Sequence, residues 1–189
     1  MTVRVMLVSP ARNAALREVR FDDEGPLDEA GARRAGEAAG ALPGADRYLS
    51  APAVRCRQTA TALGLPAAPE PALSGWDLGH WRGRTLQELS EEEPEAVAAW
   101  LSDPLAAPHG GESLDGLRER IGGWLEGLEA AGGRLLVVAD PAVVRIAVVH
   151  ALALGTEAFW RLDVAPLTLT ELSGRAGRWN LRCGRPLET

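Results

Sequence analysis

The chain has 189 residues, 46% of them hydrophobic and 24% charged, which is enough for one domain with a sizeable core. Its formal net charge of −6 gives no general attraction to nucleic acid or to an anionic membrane, so neither is expected as a partner. Met1 to Val5 lacks a basic region followed by a long apolar core, so no signal peptide is expected. Cys56 and Cys183 form neither a paired-Cys metal motif nor a disulfide framework; two reduced, partly buried thiols in a cytoplasmic protein are the expectation.

In chain order, Val3 to Val8 is a short β-branched and apolar run that stops at Ser9-Pro10, the pattern of a central strand covered on both faces. A polar loop, Arg12 to Gly25, follows. Leu27 to Leu42 is rich in good helix formers and ends at Pro43-Gly44, which predicts the first helix. Asp46 to Ser50 reads as a second strand, and Ser50-Ala51-Pro52 turns into another Ala-rich helix ending near Gly64. The order strand, helix, strand, helix favours a parallel sheet with helices on its faces.

The pattern then changes. Pro66 to Gly83 is rich in Pro, Gly and Trp without a clean period and reads as an ordered loop excursion. Thr85 to Leu101 is helical in character with a break at Pro94, and Asp103 to Gly111 is again a loop. The block at about 66–112 is expected to form a cap-like insertion within a single domain spanning 1–189, with Trp76, Trp81 and Trp100 as its packing residues.

Helical periodicity returns with Leu114, Leu117, Ile121, Trp124 and Leu128 on one face. Leu135 to Leu154 is apolar, but Asp140, Pro141, Arg145 and His150 interrupt it, which argues for a strand, a turn and a core helix rather than a membrane span. Leu167 to Leu172 and Trp179 to Cys183 alternate as closing strands. The predicted fold class is a three-layer α/β/α sandwich with a mostly parallel central sheet.

Ligands of open parallel sheets sit at the carboxyl ends of strands, so the junctions after Val8, Ser50 and Val138 are the places to look for chemistry. The second junction reads Ser50-Ala51-Pro52-Ala53-Val54-Arg55-Cys56-Arg57-Gln58-Thr59-Ala60. It closely resembles the Ser-x-Pro-x-x-Arg-x-x-Gln-Thr-Ala signature of the histidine phosphatase superfamily, which includes the cofactor-dependent phosphoglycerate mutases. Pro26-Leu27 to Gly31, Asp77-Leu78-Gly79-His80-Trp81-Arg82-Gly83 and Gly110-Gly111-Glu112-Ser113 resemble further motifs of that family in the same order.

The resemblance spans roughly Val3 to Leu154 and implies an active site above the sheet. In that family the first strand is followed by Arg-His-Gly, whose histidine is transiently phosphorylated. A second histidine follows a later strand, a glutamate in the middle loop donates a proton, and two arginines bind the phosphoryl group. Imidazole attack on phosphorus, with arginines stabilising the phosphoryl oxygens, needs those residue types.

Carried over by position, the triplet falls on Ser9, Pro10 and Ala11, the second histidine on Asp140 and the glutamate on Gly75; only Arg55 of the set is kept. Pro10 has no nucleophilic atom. None of His80, His109 and His150 aligns with a catalytic position. The resemblance thus implies a degenerate member, a pseudoenzyme, with no metal and no organic cofactor.

Three roles are open to Asp140: an acyl-phosphate-forming carboxylate, an N-cap of the helix beginning near Pro141, or the partner of Arg55 in an ion pair filling the vacated site. Ser9 reads as a turn residue with no base placed to activate it, although it stays among the ligand-binding candidates with Arg12, Arg55, Asp140 and Arg145. Arg12 is placed to replace some of the lost positive charge, and Arg145 to anchor an anion or pair with Asp140. The leading expectation is a non-catalytic protein that binds a small anionic or phosphorylated ligand or a partner. The alternatives are re-purposed chemistry on a phosphorylated or carboxylated metabolite, and a homo-oligomeric scaffold using the Trp-bearing cap.

Overall fold

The computed structural model describes residues 1–22, 24–128 and 130–183. At the centre of the sheet lies β1, Val3–Val8, flanked by β4, Gly133–Val138, which runs parallel to it with Met6 opposite Leu136 and Val8 opposite Val138. Apart from Arg4, every β1 residue is buried, and β4 buries its last four. Burial at both odd and even positions means that both sheet faces are covered, as the continuous apolar runs predict. Each fully buried Leu or Val contributes about 1.5–3 kcal/mol relative to exposure.

Six strands lie in the order β3-β2-β4-β1-β5-β6, where β2 is Arg47–Ser50, β3 Ala68–Pro69, β5 Leu169–Arg175 and β6 Arg178–Arg182. The pairs β1–β4, β2–β4 and β2–β3 are parallel, whereas β5 runs antiparallel to both β1 and β6. Five strands therefore share one direction, and the sheet is mostly parallel as expected. The two-residue β3 lies inside the stretch expected to be loop; Pro69, lacking an N–H, is tolerated because β3 is an edge.

Boundaries moved where capping outweighed composition. The first predicted helix occupies only Glu29–Glu37 (α2), because Asp28 accepts a hydrogen bond from the Gly31 N–H at 2.6 Å and so sets its start. Ahead of it, the expected polar loop holds a single helical turn, Ala14–Arg17 (α1), started by Asn13, whose side chain accepts from Leu16 N at 3.0 Å. The helix after β2 is α3, Val54–Ala62.

In the middle block, α4 (Leu86–Glu92) and α5 (Pro94–Ser102) are separated at Pro94, which opens α5 as its first residue. A capping box between Thr85 and Glu88 starts α4. Leu78, Trp81, Leu89, Val97 and Trp100 make a second, smaller core, with Phe21 and Trp76 packed against it. Gly79 (φ +48°) lets two loops cross here, since a Cβ at that position would lie 2.0 Å from the His109 carbonyl oxygen.

The long amphipathic helix is α6, Leu114–Leu128, and Leu125 rather than Trp124 fills its buried seam. It packs on α7, Pro141–Ala151, which is shorter than the expected run to Leu154 and mostly buried. Cys56 is buried and Cys183, expected to be partly buried, is exposed; both are free thiols. No helix among the described residues is long and apolar enough to cross a membrane.

Candidate functional site

The carboxyl ends of β1, β2 and β4 open into a cleft of about 730 Å³ walled by the loop after α1, the start of α3, the Ser74–Leu78 loop, the start of α7 and the 3-10 segment Thr156–Arg161. Its floor is made by Arg55 and Asp140, only 7% and 3% exposed. The Arg55 guanidinium donates through Nη2 to Asp140 Oδ1, and its Nε lies 3.5 Å from Asp22 Oδ2. One buried cation thus faces two carboxylates.

The sequence around Arg55 explains its placement. Thr59 Oγ1 donates to the Arg55 carbonyl at 2.7 Å and accepts from the Ala11 N–H at 3.1 Å, tying α3 to the loop after β1. Gln58 Oε1 accepts from Leu27 N at 2.8 Å, which ties α3 to the segment before α2. The side chains of the α3 signature are therefore used to hold loops at the strand ends, with Arg55 turned inward.

Asp140 occupies the N-cap position of α7, but its side chain makes no capping hydrogen bond. The capping role considered from the Asp-Pro sequence is replaced by the ion pair, because Oδ1 is taken by Arg55 and Oδ2 lies 3.8 Å from Cys56 Sγ. Burial pushes the Asp140 carboxyl up, with Arg55 opposing and Asp22 adding to the rise. For Arg55, burial acts against its charge, yet Asp140 and Asp22 outweigh this and raise its pKa. Cys56 beside them is raised well above an ordinary thiol by burial and then by Asp140, so it is an inert packing group. A Cβ added at Gly75 would lie 2.9 Å from Asp140 Oδ2, so the carboxylate occupies the space that a side chain at 75 would need.

The other candidates separate. Ser9 is fully buried and points away: its hydroxyl donates to the Ala165 carbonyl at 2.5 Å and accepts from Thr168 N at 3.0 Å, so it pins the approach to β5 rather than lining the cleft. Arg12 lines a different surface groove with Arg17, Arg33 and Arg34. Arg145 does line the cleft, does not pair with Asp140, and stacks its guanidinium 5.7 Å from the centre of the Phe159 ring. Its Nε is buried without an acceptor among the described residues.

No histidine lines this cleft. His109 is buried in the middle block, where burial lowers its pKa, and its ring Nδ1 accepts from Gly111 N at 3.1 Å. His80 sits at the outside with Glu93, and His150 on α7 faces Glu126 at 3.3 Å. Among the described residues no group of His, Cys, Asp and Glu is placed to hold a metal ion.

Three participants were not marked by the sequence pattern: Asp22, Phe159 and Trp160. Asp22 sits in an irregular loop, where no periodicity assigns a direction to a side chain. Phe159 and Trp160 belong to a 3-10 segment, Thr156–Arg161, whose short repeat leaves no amphipathic signature. With Trp76 and Trp100 they form a continuous aromatic wall, ring centres 4.8–6.1 Å apart where they touch.

A mostly parallel six-stranded sheet with its cleft at the carboxyl ends of the strands defines an open α/β sandwich. The chain belongs to the histidine phosphatase superfamily (branch 1), whose family model matches residues 11–184. It is 30% identical to the bifunctional protein Rv2228c of Mycobacterium tuberculosis over 181 residues, covering 89% of this chain and 50% of that protein. The chain thus spans about half the length of the curated relatives that it matches first. The adenosylcobalamin/alpha-ribazole phosphatase of Salmonella typhimurium is 28% identical over 126 residues, 63% of this chain and 62% of that one. Among solved structures, the mycobacterial glucosyl-3-phosphoglycerate phosphatase Rv2419c superposes with a TM-score of 0.83 at 24% identity, covering 96% of this chain and 97% of that chain, which shows a shared fold.

Proposed function

We propose that this chain is a family member that does not use phosphohistidine chemistry and instead binds a small anionic ligand in the cleft. The observation that carries the reading is the floor: Pro10 offers no nucleophile after β1, and Arg55 is committed to Asp140 and Asp22. A guanidinium neutralised by two carboxylates is a poor receptor for a phosphoryl group, because the incoming dianion would meet their repulsion in a low-dielectric site.

The relatives named as phosphatases favour a second reading, turnover of a phosphomonoester by another nucleophile. At the floor, among the described residues, the nucleophiles open to such a reaction are carboxylates, Asp140 foremost and Asp22 beside it, and both face Arg55. The two readings separate on one assay. Repeatedly purified protein given p-nitrophenyl phosphate, or phosphoserine, is expected to release no product above a heat-denatured control. Steady turnover that co-purifies with the chain and disappears in Asp140→Asn would replace the binding reading with the enzymatic one.

A further inference from the structure

The charges around the cleft cancel in a specific way. Arg55 is met by Asp140 and Asp22, and Arg82 by Glu24 and Asp77, each at 2.9 Å. Two lining arginines have no carboxylate partner among the described residues: Arg57, which is exposed and spends its Nε on the Pro52 carbonyl at 3.1 Å, and Arg145, which stacks on the Phe159 ring and whose buried Nε finds no acceptor. Beyond Arg55 Nε at the floor, which has Asp22 beside it at 3.5 Å but no hydrogen bond, one more donor shares the problem. Trp100 lines the same cleft, is 5% exposed, and its indole Nε1 is buried without an acceptor. Buried unpaired donors are costly and are met by an acceptor-only group.

The surface joining these two donors is aromatic. Arg145 stacks on Phe159, Phe159 touches Trp160 at 5.0 Å, and Trp160 touches Trp100 at 4.8 Å, with Trp76 closing the wall. Trp160 is 37% exposed, unusual for a residue in contact with so many rings. The start of α7 adds to the positive side, because Asp140 spends its carboxylate on Arg55 and leaves the first-turn N–H groups uncapped by its side chain.

We infer that the cleft binds an aromatic monocarboxylate, its carboxylate held by Arg145 and its ring laid on the Trp76–Phe159–Trp160 wall. This rests on the binding reading above and narrows it from anions in general. Arg145 is the carboxylate-free guanidinium that touches the aromatic wall, so an anion seated there meets one positive charge, which matches one negative charge; a phosphate dianion at that place would face Asp22, Asp77, Glu24 and Asp140 as well. Flat apolar walls also favour a planar body over a fully hydrated ion.

Calorimetric titration of the whole chain with 2-naphthoate, its neutral counterpart 2-naphthylmethanol and inorganic phosphate tests this. Naphthoate is expected to bind saturably at one site, at least about tenfold more tightly than either of the others, the size expected of one charge-assisted hydrogen bond. Arg145→Met should remove that tenfold advantage and leave naphthylmethanol binding unchanged, a split that a misfolded variant cannot produce. Trp160→Leu should weaken both aromatic probes together.

No saturable naphthoate binding, equal binding of naphthoate and its alcohol, or naphthoate affinity unmoved in Arg145→Met would each overturn the inference. Tighter binding of phosphate that depends on Arg145 would overturn the aromatic carboxylate while leaving the anion-binding reading intact. Turnover of p-nitrophenyl phosphate would remove that reading without bearing on the naphthoate affinities.

Discussion

Two polar networks, one at the floor of the cleft and one at the outer edge of the middle block, are built on opposite terms. At the floor, Arg55 and Asp140 are pressed into the interior with the half-buried Asp22 beside them, and burial works against the charge of both members of the pair. At the outer edge of the middle block, Glu93 accepts from the Trp81 indole at 3.2 Å, lies 3.3 Å from His80 Nε2 and pairs with Arg84, in contact with solvent. The floor gains strong interactions at a high desolvation cost; the edge gains weak ones at almost none. Removing one member should therefore be severe at the floor and mild at the edge.

The largest effect follows from Arg55→Ala, which strands the Asp140 carboxylate in the interior. Breaking a buried pair from one side costs about 3–5 kcal/mol, with part of the cost avoided as Asp140 takes up a proton. Chemical denaturation should show the loss, and Arg55→Met combined with Asp140→Leu should recover most of it, because the interior then holds no unpaired charge. A double variant as unstable as the single one would mean that shape, not charge, governs the floor.

A smaller effect tests how the floor excludes position 75. In Gly75→Ala the new methyl meets Asp140 Oδ2, whose other oxygen is pinned by Arg55, so the side chain cannot rotate away freely. Overpacking of this kind costs about 1–3 kcal/mol. The cost should nearly vanish when Gly75→Ala is made in Asp140→Ala, as read from the midpoints of the four proteins in a double-mutant cycle. Additive losses would break the link between the two positions.

The same contrast explains what could be read from sequence. The strands β1 and β4, the helices α6 and α7 and the break at Pro94 all follow from apolar runs, period and proline, which are local signals. The floor was legible to the extent that the Ser50–Ala60 signature marks Arg55, and one of the three roles weighed for Asp140 was the pair with it. Its choice over a helix cap could not be read, since both uses suit an Asp before Pro141, and the outcome depends on a partner 85 residues away in sequence. Ser9 was equally ambiguous: its true partners, Ala165 and Thr168, lie across the sheet on the approach to β5. Of the aromatic wall, Trp76 and Trp100 were marked as packing residues of the middle block, whereas Phe159 and Trp160 went unmarked because their 3-10 segment has no amphipathic period.

The mildest expected difference is in pH. Hydrogen bonds from Trp81 and then His80 hold Glu93 below its ordinary 4.5, and the Gly79 N–H, helped by Arg82, holds Asp77 below 3.8. Lowered acids stabilise the fold above their unfolded values, and that contribution is lost as pH falls through the folded ones. Asp140 has the opposite sign: its folded value lies above 3.8, so the native state takes up this proton more readily than the unfolded chain and its ionisation weighs against folding at neutral pH. Acidification should therefore protonate the floor before the edge. Carboxyl-carbon NMR across the acid range should show Asp140 titrating at higher pH than Glu93 and Asp77, and the contribution of those two acids should fade from the ordinary carboxylate range downward and be gone once the pH has fallen through their lowered values. If Asp140 titrates last, the attraction of Arg55 exceeds the cost of burial, and the floor stabilises the fold by charge just as the edge does.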